Sequence, residues 1–290
     1  MTHLEDFLKP TQNRLFQSLC KMYRNHAVCA KGKFLLVHGE APVLLVAHLD
    51  TVHESPVRTI CTSQQGNILM SPQGIGGDDR CGVYALVNAY GMAEKKPWLL
   101  FTCDEEIGGV GARFFAAEHE KGTLPEGLSS LKLILELDRK GSHDAVYYDC
   151  ANKEFEAYIT GKGFQTAFGS FSDISIIAPA LDVAAVNLSS GYYNAHTLHE
   201  YIHRRHLDAT IRKVVEIIGD AAGDDFPRYD YIEKVWEDSG AYGHFGFPKN
   251  LPEKYMDAYD ALLDYFSFGE LESYRKTYGN AILNELYGAY

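Results

Sequence analysis

The sequence predicts an α/β fold in which a mixed, mostly parallel central sheet carries helices on both faces, followed by a C-terminal helical appendage. Two observations support this prediction. Short apolar runs alternate along the chain with stretches of helical periodicity, as they do where strands alternate with covering helices. Several of the apolar runs end directly in acidic or histidine residues, and in open α/β sheets ligands bind beyond the carboxyl ends of the strands.

The predicted strands are apolar or β-branched runs that lie between turn residues. The run at 43–47 is apolar throughout, which is expected of a strand buried on both faces. The other predicted strands are 34–37, 98–103, 131–137, 145–148 and 183–186, and a hairpin is expected from 58–62 and 67–70.

The predicted helices are stretches in which apolar residues recur every three or four positions. They are 11–25, 78–94, 110–120 and the segment that follows His196-Thr197-Leu198-His199-Glu200. A long loop that contains Ser172 and Asp173 is expected between the strands at 145–148 and 183–186.

The composition changes past residue 220, since 10 of the 19 tyrosines lie in 220–290. Apolar residues recur there in two stripes at helical spacing. The first stripe is Tyr255, Tyr259, Leu262, Leu263 and Phe266, and the second is Leu271, Tyr274, Tyr278, Ile282 and Leu286. We therefore expect a sheet domain at 1–219 and a tyrosine-rich helical appendage at 220–290, which packs on the sheet domain or on another subunit.

Charge and composition exclude several classes of partner. The net charge of −12 argues against nucleic acid and against an anionic membrane surface, because both select for basic patches. No apolar run approaches the roughly 18 residues of a membrane span, and the acidic first residues do not resemble a signal peptide. The 6 cysteines form no CxxC pair, which indicates free thiols, a cytoplasmic location and no cysteine-built zinc site.

A glycine-rich stretch at 74–82 contains two adjacent carboxylates, Asp78 and Asp79. Neighbouring acids repel each other, and a bound cation would draw them together. Glycines on both sides allow backbone conformations that other residues avoid. The alternative is an ordinary helix-entry turn in which Asp78 caps the helix.

Further candidate ligands follow the predicted strands or precede the last predicted helix of the sheet domain. The full set is His48, Asp50, Asp78, Asp79, Glu105, Glu106, Asp138 and His196. Oxygen and imidazole donors without sulfur suit catalytic zinc, and also manganese or cobalt. Five direct ligands exceed the needs of one open zinc site and suit two ions about 3.5–4 Å apart that share a carboxylate.

Each cluster alone also has an ordinary structural explanation. His48 and Asp50 can form a simple hydrogen-bonded pair, and the two glutamates can be helix-entry acids favoured by the helix dipole. Asp138 can belong to a surface ion pair, and His196 can begin a solvated helix. Together these explanations require five coincidences, so we favour the metal site.

The motifs resemble those of a known group of enzymes. They are His48-x-Asp50, Gly77-Asp78-Asp79-x-x-Gly82, Asp104-Glu105-Glu106-x-Gly108, Asp138 and His196-x-x-x-Glu200. This set resembles the co-catalytic zinc exopeptidases, which include peptidase T, the glutamate carboxypeptidases, the aminoacylases and the succinyl-diaminopimelate desuccinylases, with the bacterial zinc aminopeptidases as a sister branch. The resemblance covers roughly residues 30–220 and implies the zinc-exopeptidase fold.

The resemblance implies a role for each residue at the first metal. His48 and Asp138 bind that ion, and Asp50 holds the other ring nitrogen of His48. Asp78 bridges both ions, Asp79 supports it, and the peptide bond between these two residues is expected to be cis.

The second metal and the catalytic base follow from the same resemblance. Glu106 and His196 bind the second ion, and Glu105 acts as general base and later as proton donor. Glu200 is expected to support the His196 region. Tyr192 or Tyr193 is a candidate donor to the oxyanion, on position alone.

The chain departs from peptidase T-like enzymes in one respect. The resemblance implies a lid domain of about a hundred residues, which those enzymes insert before the last histidine. Here only 57 residues separate Asp138 from His196. In this respect the chain resembles the single-domain aminopeptidase branch. We expect the appendage to serve homo-oligomerisation in place of the lid.

The expected function is hydrolysis of an amide bond in a small peptide, as an aminopeptidase or a di- or tripeptidase, with two divalent ions and Glu105 as the base. An N-acyl-amino-acid deacylase with the same ions is the alternative. A non-catalytic peptide-binding scaffold is a third hypothesis, against which the intact Glu105 argues, because a scaffold needs no base.

Overall fold

The computed structural model describes residues 3–53, 55–169, 171–234, 248, 251–262 and 268–288. The chain forms two compact units. The first unit runs to Ala167 and continues through Ser172–Glu233, and the second takes in Phe168–Phe171 and the described part of Lys234–Tyr290. The predicted division at 219 stays a prediction.

The strands of the first unit form two sheets. They are β1 Ala27–Ala30, β2 Phe34–Val37, β3 Val43–His48, β4 Cys61–Thr62, β5 Ile68–Met70, β6 Trp98–Thr102, β7 Leu133–Arg139, β8 Asp144–Val146, β9 Gln165–Thr166, β10 Ala185–Ser189, β11 Tyr192–Tyr193 and β12 Tyr201–His203. The large sheet has the order β1-β2-β6-β3-β7-β10-β8-β9, and the small one has the order β11-β12-β5-β4.

The centre of the large sheet is parallel, because β3 pairs in parallel with both β6 and β7, and β7 pairs in parallel with β10. The carboxyl ends of these four strands therefore meet at one edge. Strands β1, β2 and β8 join the sheet in antiparallel pairs, which makes it mixed. The predicted fold class is confirmed.

Helices cover both faces of this sheet. They are α1 Glu5–Leu8, α2 Gln12–Met22, α3 Gly77–Met92, α4 Val110–Glu120, α5 Lys153–Gly161, α6 Ile174–Leu181 and α7 Arg204–Ala221, and a 3-10 turn covers Glu126–Ser130. Helices α2, α3, α5 and α7 share one apolar core with the sheet, whereas α4 and α6 share the other. Among the helices that the structure describes, none combines the length and the apolar character required to cross a membrane.

Strand β3 shows how one strand serves both cores. Its residues are buried throughout, and they alternate between the two faces because successive side chains of a strand point in opposite directions. Leu45 and Ala47 belong to the core under α3, whereas Leu44 and Val46 belong to the core under α6. His48 ends this strand at the carboxyl edge.

Two predictions of local structure are wrong. The segment between the strands near 145 and 185 is not one long loop, because it contains α5, β9 and α6. The segment after His196 does not enter a helix directly, since β12 comes first and pairs with β5. The unpredicted strands β9 and β12 are short, so their pairing depends on tertiary contacts that a periodicity pattern does not report. The predicted hairpin is confirmed in shorter form, as β4 pairs with β5.

The second unit contains α8 Met256–Leu262, α9 Phe268–Tyr278 and α10 Ala281–Tyr287, and a 3-10 turn at Glu253–Tyr255. Its buried apolar residues, among those that the structure describes, form a separate small core of Leu251, Ala258, Tyr259, Leu262, Leu271 and Leu283. The second predicted stripe is divided between two helices at Gly279, whose φ of 80° lies in the left-handed region. Leu263 and Phe266 of the first stripe lie outside the described residues.

Candidate metal centre

The Asp78–Asp79 turn stands at the start of α3. The peptide bond between the two residues is cis, as the resemblance implied. Gly76 precedes the helix with a φ of 62°, and a Cβ atom at Gly77 would lie 2.7 Å from the Cβ atom of Tyr192. The glycines therefore let the turn approach the neighbouring strand β11 closely. The residues of the turn are buried although both carboxylates are polar.

The Asp78 carboxylate lies between two histidines. Its Oδ1 is 3.2 Å from Nε2 of His48, and its Oδ2 is 3.1 Å from Nε2 of His196. His48 is buried at the end of β3, whereas 47% of the His196 side chain is exposed. One carboxylate thus contacts a different imidazole through each of its oxygens.

Each histidine has a second carboxylate beside it. Nε2 of His48 lies 3.6 Å from Oδ1 of Asp138, and Nε2 of His196 lies 3.3 Å from Oε2 of Glu106. The donor atoms of His48, Asp78 and Asp138 all lie within 4.8 Å of one another, and so do those of Asp78, Glu106 and His196. These two groups share Asp78, and they contain all five residues that the sequence predicted as metal ligands.

Glu105 lies next to the first group. Its Oε2 is 4.0 Å from Nε2 of His48, and its side chain is 11% exposed. Burial raises the pKa of Glu105 to about 9. A carboxyl group in this position holds a proton at neutral pH until a nearby cation lowers its pKa.

Asp50 connects both predicted metal groups. Its Oδ1 lies 3.2 Å from Nδ1 of His48 and accepts a hydrogen bond from the backbone N–H of Glu105 at 3.1 Å, and its Oδ2 accepts one from Glu106 at 3.0 Å. Asp50 thereby fixes the ring of His48 and the backbone of both glutamates with one carboxylate.

Asp79 binds backbone N–H groups at the junction of β3 and α3. Its Oδ2 accepts a hydrogen bond from the backbone N–H of His48 at 3.2 Å, and its Oδ1 accepts one from Gly82 at 3.0 Å. Burial and the charge of Asp138 raise the pKa of Asp79 well above its usual range. Asp79 therefore ties the start of α3 to the end of β3.

Glu200 supports the Asp78 turn. The resemblance implied support of the His196 region, but the Glu200 carboxylate contacts the turn itself. Its Oε2 accepts a hydrogen bond from Gly76 N at 2.8 Å, and its Oε1 accepts one from Asp78 N at 2.8 Å. Nε2 of His53 lies 3.0 Å from the same carboxylate. Three segments that are distant in sequence meet at this fully buried side chain.

Asp138 is held by side chains that follow it in the chain. The Ser172 hydroxyl donates to Oδ2 of Asp138 at 3.0 Å, and the Tyr192 hydroxyl donates to Oδ1 at 3.2 Å. Asn187 pairs with the backbone of Asp138 through both ends of its amide. Tyr192 thus contacts a predicted carboxylate ligand, and the hydroxyl of Tyr193, the other oxyanion candidate, lies 2.6 Å from Nδ1 of His206.

Two buried acids near the site were not among the predicted site residues. Glu136 lies on β7 two positions before Asp138, and Asp173 accepts a hydrogen bond from the Thr102 hydroxyl. Burial raises the pKa of Asp173 to about 6 and that of Glu136 well above its usual range. The sequence contained one signal for Glu136, which is an acid inside the apolar run at 131–137. Acids are rarely buried unless they are paired, so an acid in a buried strand indicates a partner nearby.

The charges of the site favour a cation. Burial alone would raise the pKa of Asp78, but hydrogen bonds from His196 and His48 outweigh it and hold that pKa below its usual range. Burial disfavours the charged form of His196, yet its bonds to Asp78 and Glu106 raise its pKa. Protons on the histidines thus balance part of the carboxylate charge, and divalent ions that displaced them would serve the same purpose.

One orphaned atom supports the fit of a metal ion. Oε1 of Glu106 is buried and, among the residues that the structure describes, has no hydrogen-bond partner. A buried carboxylate oxygen without a partner is costly, and a cation would satisfy it. The donor set of two imidazoles and three carboxylates suits zinc, manganese or cobalt.

The fold and the site define a class of protein: an aminopeptidase-like α/β domain with a histidine and carboxylate cluster at the carboxyl edge of its sheet. No protein-family model matches the sequence, and no curated protein matches it. The likeness to known proteins is therefore one of fold and not of overall sequence.

Particular solved structures share this fold. The aminopeptidase PepT from Bacillus cereus matches with a TM-score of 0.58 and 14% identity, over 76% of this chain and 97% of that one. A tripeptidase from Staphylococcus aureus matches with a TM-score of 0.56 and 13% identity, over 76% and 96%. The Pyrococcus horikoshii TET1 peptidase matches with a TM-score of 0.54 and 15% identity, over 74% and 98%. The resemblance inferred from the motifs is confirmed for the fold.

Proposed function

We propose that the protein is a metal-dependent peptidase that binds two divalent ions and removes residues from the amino end of small peptides. The observation that supports this most directly is the position of Asp78, whose two oxygens lie 3.2 Å and 3.1 Å from the imidazoles of His48 and His196. A carboxylate that faces one histidine with each oxygen has the arrangement of a bridge between two ions.

The five ligands divide into two sets. His48 and Asp138 would hold one ion, Glu106 and His196 would hold the other, and Asp78 would belong to both. Zinc is the ion we expect, since imidazole and carboxylate donors with room for water are typical of catalytic zinc, and manganese or cobalt would fit the same donors.

The chain's own residues carry the proton transfers. Ions bound in this site would lower the pKa of water toward about 7 and polarise the scissile carbonyl. Glu105 would take the proton from the attacking water and pass it to the leaving amine, so that a carboxylate and an amine are released. Asp50 would keep Glu105 and Glu106 in place through their backbone N–H groups.

Substitution of the base tests this assignment. We expect Glu105→Gln to retain its metal ions and to lose turnover by about a thousandfold, which is the usual range for a general base. Glu120→Gln is the matched control, because Glu120 is exposed at the end of α4. Full activity in Glu105→Gln, with Glu120→Gln also active, would contradict the role of Glu105.

A second candidate function is the removal of an acyl group from an N-acyl-amino acid, because both reactions cleave an amide with the same site. We favour the peptidase, since the solved structures that share the fold are described as an aminopeptidase, a tripeptidase and the TET1 peptidase. A panel of free-amine dipeptides and tripeptides and their N-acetylated forms distinguishes the two. Turnover of only the N-acetylated substrates would select the deacylase, and turnover of neither would leave the peptide-binding scaffold.

We also propose that the protein works in the cytoplasm and assembles with copies of itself through the residues after 220. The TET1 peptidase is described as assembling into a tetrahedron or a large octahedral shell. Light scattering of the full chain tests the assembly, and a monomer at all concentrations would refute it.

A further inference from the structure

Two cysteines of the N-terminal region lie in contact, away from the metal centre. Sγ of Cys20 and Sγ of Cys29 are 3.0 Å apart. Cys20 lies near the end of α2, and Cys29 lies on β1, which pairs with β2 at the edge of the large sheet. A disulfide bond has an S–S distance of about 2.05 Å, so a movement of about 1 Å would join them.

We infer that Cys20 and Cys29 form a redox modification site, in which a disulfide reagent of low molecular mass such as glutathione disulfide converts the two thiols to an intramolecular disulfide. The accessibility of the pair supports this. Cys29 is exposed and Cys20 is partly exposed. The three cysteines Cys81, Cys103 and Cys150 are buried, and the exposed Cys61 lies on β4 in the other sheet.

The order of the two steps follows from exposure. The thiolate of Cys29 attacks one sulfur of the reagent, the reagent's S–S bond breaks, and one glutathione leaves as a thiolate that takes a proton from water. Cys20 then loses its proton to water and displaces the second glutathione from Cys29. Two electrons pass from the protein to the reagent, which leaves as two molecules of reduced glutathione.

The state of Cys20 agrees with its assignment to the second step. Burial and the neighbouring Cys29 raise the pKa of the Cys20 thiol to about 12. A thiol with a raised pKa is a poor attacker of a free reagent. It reacts well only when its target is held beside it, as the mixed disulfide on Cys29 would be.

The disulfide would fasten α2 to the edge of the sheet. Among the strands that the structure describes, β1 pairs only with β2 and stands at the edge of the large sheet, so the added bond would reinforce that edge. At its other end, α2 contacts the loop of the candidate metal centre at Asp104, next to Glu105. The Gln12 side-chain amide donates to the Asp104 carboxylate and accepts from the Asp104 backbone N–H. The disulfide thus stabilises the helix on which this contact depends.

Peptide mapping tests the inference on the full chain. The reduced protein is incubated with glutathione disulfide, alkylated and digested with trypsin. Because Lys21 and Arg24 lie between the two cysteines, trypsin separates them and a disulfide joins two peptides. We expect the joined peptides in the wild type and in Cys61→Ser, and not in Cys29→Ser. Two free thiols, glutathione retained on Cys29, or a bond from Cys20 to Cys103 would overturn the inference.

Thermal unfolding provides a second readout that does not depend on hydrolytic activity. A disulfide that closes a loop of this size is expected to raise the unfolding midpoint of the wild type by roughly 5 °C, and dithiothreitol should reverse the rise. The midpoint of Cys29→Ser should not respond to either reagent. An oxidised wild type with an unchanged midpoint would refute the proposed fastening of α2.

Discussion

Glu200→Gln tests how the Asp78 turn is held in place. The substitution keeps the size of a side chain that is 0% exposed, but it leaves one acceptor oxygen where there were two. Gly76 N and Asp78 N each donate at 2.8 Å, to different oxygens of Glu200, so one of these donors would face an amide NH₂ group. Hydrogen bonds to charged groups contribute about 1.5–3 kcal/mol each, and a buried donor left without a partner costs a similar amount.

We therefore expect Glu200→Gln to lower the free energy of unfolding by about 3 kcal/mol, including the weakened contact with His53. Urea unfolding of the metal-free protein, followed by circular dichroism, measures this loss without a contribution from bound ions. Metal affinity should also fall by about tenfold or more, because Glu200 orients the backbone of Asp78, the proposed shared ligand.

The control for this experiment is Glu120→Gln, which removes an exposed carboxylate and should change stability by less than about 0.5 kcal/mol. A loss below about 1 kcal/mol in Glu200→Gln, together with unchanged metal affinity, would refute the reasoning. The turn would then depend on Asp79 and the glycines alone.

Two further substitutions test the site. Asp78→Asn should reduce bound zinc from two ions per chain to one or none, measured by elemental analysis after dialysis, because it weakens the shared ligand; two retained ions would contradict the bridge. Burial raises the pKa of Asp173 from 3.8 to about 6, so the folded state binds this proton more tightly than the unfolded state. The metal-free protein therefore loses stability as the pH rises from 3.8 through 6. Asp173→Asn should remove this loss, so that from pH 4 to pH 6.5 it gains about 2 kcal/mol over the wild type in urea unfolding. A difference between the two proteins that does not change with pH would refute the shift.

Three of the five candidate ligands, His48, Glu106 and Asp138, could be predicted from the sequence because each stands at or just beyond the end of an apolar run. His48 and Asp138 follow runs that are buried on both faces, and parallel pairing of β3 with β7 brings their ends together. The alternation of strands and helices made that pairing the expected one. His196 was recognised only through its motif, since its backbone lies in a loop with a φ of 63° that no periodicity describes.

The supporting residues were harder to predict because their partners are distant in sequence. Glu200 contacts Gly76 and Asp78 across more than a hundred residues, and its neighbouring strand β12 is only 3 residues long. Asp173 was placed in a loop, whereas it lies directly before α6 and contacts Thr102 on β6. Contacts of this kind depend on how the sheet and the helices pack together. Local sequence patterns do not specify that packing.

The central claim is that Asp78 joins two metal ions, and anomalous diffraction from crystals of the zinc-loaded protein tests it most directly. We predict two anomalous peaks about 3.5–4 Å apart, one beside His48 and Asp138 and the other beside Glu106 and His196, with the Asp78 carboxylate between them. A single peak, or two peaks that Asp78 does not link, would contradict the account.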